Sequence, residues 1–126
     1  MCIGPFSLMT KLLADPIIPI FLAGSGVTPE EDDDVAMLAA LLELSETTVH
    51  AHCLAQMKAG AAAIFLCEPA ANLVYFSPLQ IKSGSSVYDD FVIAPNLRLK
   101  ALPADQEILF RRRGPARRHS GDDQRD

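Results

Sequence analysis

The sequence contains no tryptophan, and aromatic residues occupy only 6% of its 126 positions. With an apolar fraction of 49%, this composition favours an α/β protein over a β-sandwich or a disordered chain. No apolar run reaches the roughly 18 residues that span a membrane. The nearest candidate, residues 16–27, is interrupted by Pro19, Gly24 and Gly26. We therefore predict no membrane contact.

Cysteine is scarce as well, with Cys2, Cys53 and Cys67 as the whole complement. An odd number of cysteines without paired spacing indicates free thiols rather than a disulfide framework. The first residues carry no basic segment ahead of an apolar stretch, so we expect no secretory signal. Together these features predict a cytoplasmic protein.

Basic residues are few until the end of the chain. Residues 1–110 carry five basic and 13 acidic side chains, whereas residues 111–126 carry six arginines and three aspartates. We predict a folded domain over 1–110 and a disordered basic tail over 111–126. The tail has no apolar periodicity, and its abrupt change of composition is what a frameshifted gene end produces. The alternative is a genuine tail that touches nucleic acid or a membrane surface. Its aspartates and its lack of aromatics disfavour that alternative, and we predict no nucleic-acid partner.

Turn and cap signals divide the first half of the folded part. A strand end, a turn at Gly4-Pro5 and a short helix are predicted over 2–13, followed by a connecting loop over 15–26. Thr28 and Glu31 form a capping box for a long helix, with Pro29 at its first position. Apolar residues then recur at helical spacing as far as Gly60, which suits a C-terminal cap.

The second half has shorter elements. Residues 61–67 form a continuous apolar run, which predicts a strand buried on both faces, as in parallel sheets. Ser77-Pro78 begins a short helix. A further helix over 87–102 is expected to kink at Pro95. Residues 107–110 are a candidate for another strand.

Four motifs follow one another along this framework. They are Gly4-Pro5-Phe6-Ser7-Leu8, Ala59-Gly60-Ala61, Cys67-Glu68-Pro69 and Phe76-Ser77-Pro78. Their order and spacing resemble the uroporphyrinogen decarboxylase superfamily over about residues 3–102. The branch that they resemble most is the methylcobamide:coenzyme M methyltransferases.

The resemblance implies the fold class α/β and, within it, a (β/α)₈ TIM barrel. Because such a barrel needs about 250 residues, we predict a partial barrel of about two strands with their helices. On this hypothesis both barrel-closing ends are missing and the chain is a truncated fragment. Its open sheet edges would favour self-association. We expect helical circular dichroism without a sharp cooperative melt.

The resemblance also implies a parent activity, the corrinoid-dependent transfer of a methyl group to a thiol. Zinc and a corrinoid are the implied cofactors of the intact family member, and a corrinoid protein or a tetrapyrrole-like small molecule is its implied partner. The family's zinc-binding His-x-Cys pair has no counterpart here, so we assign no cofactor to this chain and leave its enzymatic activity open.

Two alternatives remain. One is uroporphyrinogen decarboxylation in porphyrin biosynthesis. It is disfavoured because Pro69 and Lys11 stand where the decarboxylases commonly carry a serine and a tyrosine, and because their catalytic aspartate lies upstream of every motif present here. The other is an inactive fragment or interaction module without catalysis.

The candidate site residues follow from strand-end positions. Glu68 directly follows the strand of residues 61–67, and (β/α) folds carry their catalytic residues at such strand ends. Glu68 is therefore the candidate catalytic residue. Phe6, Ser7, Asn72 and Tyr75 are candidate substrate-binding residues in the adjoining turn and loop. The alternatives are a Glu68 that caps neighbouring amides, a Ser7 that caps its own helix, and loop packing for Asn72 and Tyr75.

We predict no metal site in this chain. His50 and Cys53 share a helical face, but His52 points about 200° away from His50, and two ligands do not close a zinc site. The three aspartates at 32–34 lack the glycine and terminal glutamate of a calcium loop. They are better explained as negative charge at a helix start.

Overall fold

The computed structural model describes residues 1–101 and 107–111, the last five through their backbone only. Three parallel strands form one sheet in the order β1-β2-β3: β1 (Cys2–Ile3), β2 (Ala63–Cys67) and β3 (Glu107–Arg111). The sheet and the five α-helices around it make a mixed α/β fold. The predicted tail lies outside the described residues except for Arg111, which ends β3.

Helix α1 (Pro5–Leu12) follows β1 directly, as the Gly4-Pro5 turn predicts. Helix α3 (Asp33–Lys58) carries the long apolar stripe. Gly60, just past its C-cap Ala59, has a φ of +100°, the left-handed conformation that glycine adopts most readily. Ser77 caps helix α4 (Pro78–Lys82), since its side chain accepts a hydrogen bond from the Gln80 N–H. These elements confirm the predictions made from turn and cap residues.

Helix α2 (Ile17–Gly24) contradicts the connecting loop predicted over 15–26. The Asp15 carboxylate accepts a hydrogen bond from the Ile17 N–H at 3.0 Å and so supports the helix start. Pro19 falls in the first turn, where a backbone N–H has no partner within the helix. Proline at that position therefore permits the helix instead of breaking it.

The start of α3 also differs from its prediction. The Asp32 side chain accepts hydrogen bonds from the N–H groups of Asp34 and Val35, at 2.9 and 3.1 Å, and is the N-cap. Thr28 and Glu31 close a separate turn just before the helix, in which the Thr28 N–H donates to the Glu31 carboxylate at 3.0 Å. The sequence predicts a capping box one turn upstream, at Thr28 and Glu31, because threonine and aspartate are both favoured N-cap residues.

Strand β2 is buried on one face, which corrects the prediction of burial on both. Ile64 and Leu66 are fully buried, whereas Phe65 keeps 50% of its surface exposed and Ala63 is exposed too. Helix α3 contacts β1 and β2 on the buried side. The described residues place no layer over the other face, although a continuous apolar strand is typical of sheets that are covered on both faces.

Residues 87–100 form one helical run with a π-helical segment, Asp89–Ile93, followed by helix α5 (Ala94–Lys100). The Ala94 N–H donates to the Asp89 carbonyl, five residues back. Pro95, which lacks an N–H, follows directly. The π turn lies directly upstream of Pro95. The kink expected at Pro95 itself stays a prediction.

The core has two parts. One packs helices against each other; its buried members are Phe6, Met9, Ile20, Leu38, Leu42, Phe76, Val87 and Val92. The other packs the sheet against α3 and α5; its buried members are Cys2, Val49, Cys53, Ile64, Leu66 and Leu99. Helix α3 contributes to both parts and so joins them.

Candidate functional site

The candidate site lies at the edge of the sheet where β1 and β2 both end. The strands are parallel with Ile3 opposite Cys67, so the residues that follow, Gly4 and Glu68, are neighbours. The Gly4 N–H donates to the Cys67 carbonyl at 2.8 Å and extends the strand pairing by one bond. Two of the sequence motifs, separated by some sixty residues, therefore meet at one point.

Glu68 is 93% buried and its carboxyl group caps helix α1; only 7% of its surface is exposed. The Phe6 N–H donates to Oε2 at 3.1 Å, and the Ser7 N–H donates to Oε1 at 3.3 Å. These amides lie in the first turn of α1, where N–H groups have no partner within the helix. Of the two interpretations left open for Glu68, the capping contact is present.

The Glu68 carboxyl is held between two opposing effects. Burial raises its pKa to about 7, because a charged carboxylate loses its hydration. Hydrogen bonds from the amides of Ser7 and Phe6 lower the pKa, as do the polar side chains of Asn96 and Ser7, and together they offset part of that rise. The resulting group can hold or release a proton near neutral pH, which is the range a general acid or base requires.

Ser7 of α1 forms a second link between α1 and the loop after β2. Its side chain is fully buried, and its Oγ accepts a hydrogen bond from the Ala70 N–H at 3.1 Å. Ser7 does not cap its own helix, because the N-cap of α1 is Gly4 and no side chain of α1 makes that bond. The serine instead holds the loop after β2, while Glu68 of that loop holds α1.

Phe6, Tyr75 and Phe76 form an aromatic group beneath this edge. The Phe6 ring is fully buried and stacks on Phe76 with ring centroids 4.9 Å apart. Tyr75 meets Phe6 edge to face at 6.2 Å and is itself half-buried. Phe6 lies in the core, so Tyr75 is the member of this group with surface available for a ligand.

Asn72 is exposed and its carboxamide closes the loop after β2. Its Nδ2 donates to the Pro69 carbonyl at 2.8 Å, and its Oδ1 accepts from the Val74 N–H at 2.8 Å. Both ends of the amide are therefore used within the loop. A ligand that contacts Asn72 would have to share these bonds, and the substrate-binding role of Asn72 stays a prediction.

Asn96, on α5, was not predicted. It has no exposed surface, its Nδ2 donates to the Val92 carbonyl at 2.8 Å, and its side chain is among the groups that lower the Glu68 pKa. The one sequence signal was a carboxamide between Pro95 and Leu97 in an otherwise apolar stretch. Such a residue is more often exposed, and the sequence does not place residues 68 and 96 together.

Of the three cysteines, Cys67 adjoins the site, since it directly precedes Glu68. All three cysteines are free, and burial raises the pKa of the Cys2 thiol to about 11 and also raises that of Cys53. His50 is half-buried and His52 exposed, whereas Cys53 faces the core. Within the described ranges, no group of three or more His, Cys, Asp or Glu side chains is placed to hold a metal ion.

A separate open cleft of about 460 Å³ lies between the end of α2 and the loop after α4. It is lined mainly by glycine and serine, including Gly24 and Ser85, and by Gln80. The Gln80 Nε2 donates to the Phe21 carbonyl and to Ser25 Oγ, and Ser85 Oγ donates to the Gly24 carbonyl. No predicted site residue lines this cleft.

No helix in the described part of the chain is both long and apolar enough to cross a bilayer.

Comparison with known proteins returns no matching family model, no matching curated protein and no matching solved structure. The likeness to the uroporphyrinogen decarboxylase superfamily therefore rests on the four motifs and their order.

Proposed function

We propose that the chain is a segment of a (β/α)₈ barrel of the uroporphyrinogen decarboxylase superfamily. Its parent activity would be methyl transfer from a corrinoid carrier to a thiol. The observation that supports this proposal best is the contact between Glu68 and the turn after β1. It brings two of the four motifs together at the carboxyl ends of neighbouring parallel strands, the edge that bears the active site in (β/α) barrels.

Glu68 would serve that activity through its proton and its hydrogen bonds. With a pKa of about 7, the carboxyl can donate a proton to a ligand group or accept one from it. The amides of Phe6 and Ser7 fix its orientation. A ligand would approach from the loop after β2, where Asn72 is exposed and Tyr75 half-buried.

Zinc, when bound in the family, lowers the pKa of the acceptor thiol and supplies a thiolate nucleophile. The described residues do not fit that metal, because none of their His, Cys, Asp and Glu side chains form a ligand group of three or more. The role assigned to this chain is therefore limited to Glu68 and the residues that hold it.

The direct test is an assay of the purified full chain with methylcobalamin, coenzyme M and zinc. Formation of methylated coenzyme M above the protein-free background, reduced at least tenfold in Glu68→Gln, is the expected result for a chain that keeps the parent activity. Glu30→Gln, which removes an exposed carboxylate, is the matched control. If the wild-type chain forms methylated coenzyme M no faster than the protein-free background, the chain does not catalyse methyl transfer by itself.

A second candidate function, an interaction module without catalysis, is favoured by the uncovered face of β2. Phe65 presents half of its surface there, between two strands of the sheet. A chain with this face would pair with another subunit that covers it. Methyl transfer at background together with a stable oligomer would favour this candidate over the first.

A further inference from the structure

Helix α3 carries a buried polar side chain in its apolar stripe, at the place where the two parts of the core meet. Leu42 belongs to the part that packs helices against each other, and Val49 belongs to the part that packs the sheet. Ser45 lies between them on the same helical face, and none of its surface is exposed. The apolar packing along α3 is therefore interrupted at one level by a hydroxyl group.

The helical run that ends in α5 shows the same interruption. Val92 packs in the helical part of the core and Leu99 in the sheet part, and the fully buried Asn96 lies between them. The Asn96 Nδ2 donates to the Val92 carbonyl at 2.8 Å, which fixes the plane of the carboxamide. A second buried polar group thus lies at the boundary between the two parts of the core.

An ion pair at the surface places these two polar groups at the same level. The Arg98 Nη2 on α5 donates to the Glu46 Oε2 on α3 at 2.8 Å. Glu46 directly follows Ser45, and Arg98 lies two positions after Asn96. Helices α3 and α5 are also in backbone-level contact with each other. Ser45 and Asn96 therefore lie at one level of the boundary between α3 and α5, beneath the ion pair.

Each of these two side chains has one buried polar atom that no described residue satisfies. The atoms are the Ser45 Oγ and the Asn96 Oδ1. A buried polar atom without a partner destabilises a fold, whereas an internal water molecule that bridges such atoms removes the penalty. An amide oxygen only accepts hydrogen bonds, and a serine hydroxyl both donates and accepts, so one water molecule can serve the two atoms together.

We propose that Ser45 and Asn96 form an internal water-binding site between α3 and α5. One water molecule donates a hydrogen bond to the Asn96 Oδ1 and shares a second hydrogen bond with the Ser45 Oγ. This bridge ties the two helices together inside the protein, as the ion pair between Glu46 and Arg98 does at the surface. The site does not depend on the proposed function, because neither side chain has a role in methyl transfer.

A crystal structure of the unaltered full chain is the first test. We expect electron density for one water molecule within hydrogen-bonding distance of both the Ser45 Oγ and the Asn96 Oδ1. A direct hydrogen bond between the two side chains would overturn the proposal. A boundary without water, or an Asn96 Oδ1 bonded to another part of the chain, would overturn it as well.

The second test measures amide hydrogen exchange in Ser45→Ala, with Thr47→Ala as the control because Thr47 exposes its hydroxyl on the same helix. Alanine favours a helix more than serine or threonine does, so neither substitution weakens α3 through helix propensity. Loss of the water bridge should accelerate exchange at the Val49 and Leu99 amides by about three- to tenfold. The control should leave exchange at these amides unchanged or slower.

The direction of the change distinguishes a bridged hydroxyl from one without a partner. Removal of a buried hydroxyl that has no partner slows exchange, because the penalty for burying it disappears. Slower or unchanged exchange in Ser45→Ala would therefore refute the water site. In a chain that already carries Asn96→Leu, the other end of the bridge is gone, and Ser45→Ala should no longer accelerate exchange. An equal acceleration in that background would also count against the bridge.

Discussion

Gly4 and Glu68 lie in direct contact, and the Glu68 carboxyl fills the space where a side chain at position 4 would begin. A Cβ on residue 4 would overlap Oε1 and the carboxyl carbon of Glu68. The backbone of Gly4 has an extended conformation that any residue adopts, so the glycine is required by this close approach and not by its φ angle. The Gly4-Pro5 turn and the carboxyl group are therefore matched to each other.

We expect Gly4→Ala to displace Glu68 from the amides of Phe6 and Ser7. The displaced carboxyl would weaken the local structure by about 1–3 kcal/mol, the usual cost of overpacking a buried site. Amide hydrogen exchange measures this directly, and exchange at Phe6 and Ser7 should accelerate by roughly five- to a hundredfold. Gly84→Ala is the control, since a Cβ there meets nothing within 4 Å and costs only the strain of its positive φ.

The same contact predicts a rescue. In a chain that already carries Glu68→Ala, the added Cβ at position 4 has room, so Gly4→Ala should cost little. A double-mutant cycle on the exchange rates should therefore give a coupling of at least 1 kcal/mol between the two positions. Purely additive effects would contradict the contact between Gly4 and Glu68.

Glu68 should make the chain less stable as the pH rises. Its pKa is about 7 in the folded chain, compared with 4.5 for an unburied glutamate, so the folded state binds the proton more tightly. The stabilisation is fully present below pH 4.5 and is lost as the pH rises through 7, with a total on the order of 3 kcal/mol. Amide hydrogen exchange between pH 4 and pH 8, corrected for the intrinsic exchange rate at each pH, measures the change without requiring a cooperative unfolding transition.

Glu68→Gln should remove this dependence, because its amide carries no charge at any pH in that range. Glu30→Gln is the control for net charge, since that carboxylate is exposed. A wild-type chain whose stability rises between pH 5 and pH 8, with no change in Glu68→Gln, would show that Glu68 is ionised without penalty in the fold. The burial argument for the site would then fail.

The N-terminus of α3 can be tested in the same way, because the sequence predicts its cap at Thr28 whereas the structure places it at Asp32. Asp32→Ala removes an acceptor for the Asp34 and Val35 amides and should destabilise the chain by about 1 kcal/mol. Thr28→Ala removes a side chain that makes no capping bond to α3, and it should cost less. Hydrogen exchange at the Asp34 and Val35 amides should therefore accelerate more in Asp32→Ala than in Thr28→Ala. The reverse order would restore Thr28 as the cap.

These cases show where sequence reasoning works in this chain. Gly60, Ser77 and Pro78 act through their own backbone, so their positions alone predict a helix end and a helix start. Thr28 and Asp32 both carry cap chemistry, and the sequence does not decide which of them begins α3; the structure places the cap at Asp32. Pro19 suggests a loop by its identity, yet its place in the first turn of α2 depends on Asp15.

In the candidate site too, the sequence predicts some residues and not others. Glu68 is predictable because a carboxylate at a strand end has a positional signature, and the capping of neighbouring amides is one of the two roles that this position predicts. Asn96 was not predicted because the sequence signals neither the π turn that precedes it nor its burial on α5. A role that depends on neighbouring residues can be predicted from the sequence. The burial of a polar side chain among distant elements can be seen only in the folded structure.

The uncovered face of β2 leads to the last prediction. Phe65 lies half-exposed in the middle of a sheet whose other face is packed. Threonine keeps the strand propensity of this position and removes most of its apolar surface. Phe65→Thr should therefore shift the chain towards monomer in light scattering coupled to gel filtration. Leu97→Thr, which removes an exposed leucine from α5, should leave the mass distribution unchanged.

The wild-type chain should be oligomeric in that experiment, because burying the Phe65 face removes apolar surface from water at about 25 cal/mol per Å². Its circular dichroism should be helical, as α3 alone supplies 26 helical residues, without a single steep thermal transition. A monomeric wild-type chain with one sharp melt would show that the described fold is self-sufficient. The partial-barrel proposal would then lose its physical basis, since a barrel segment depends on strands that cover this face.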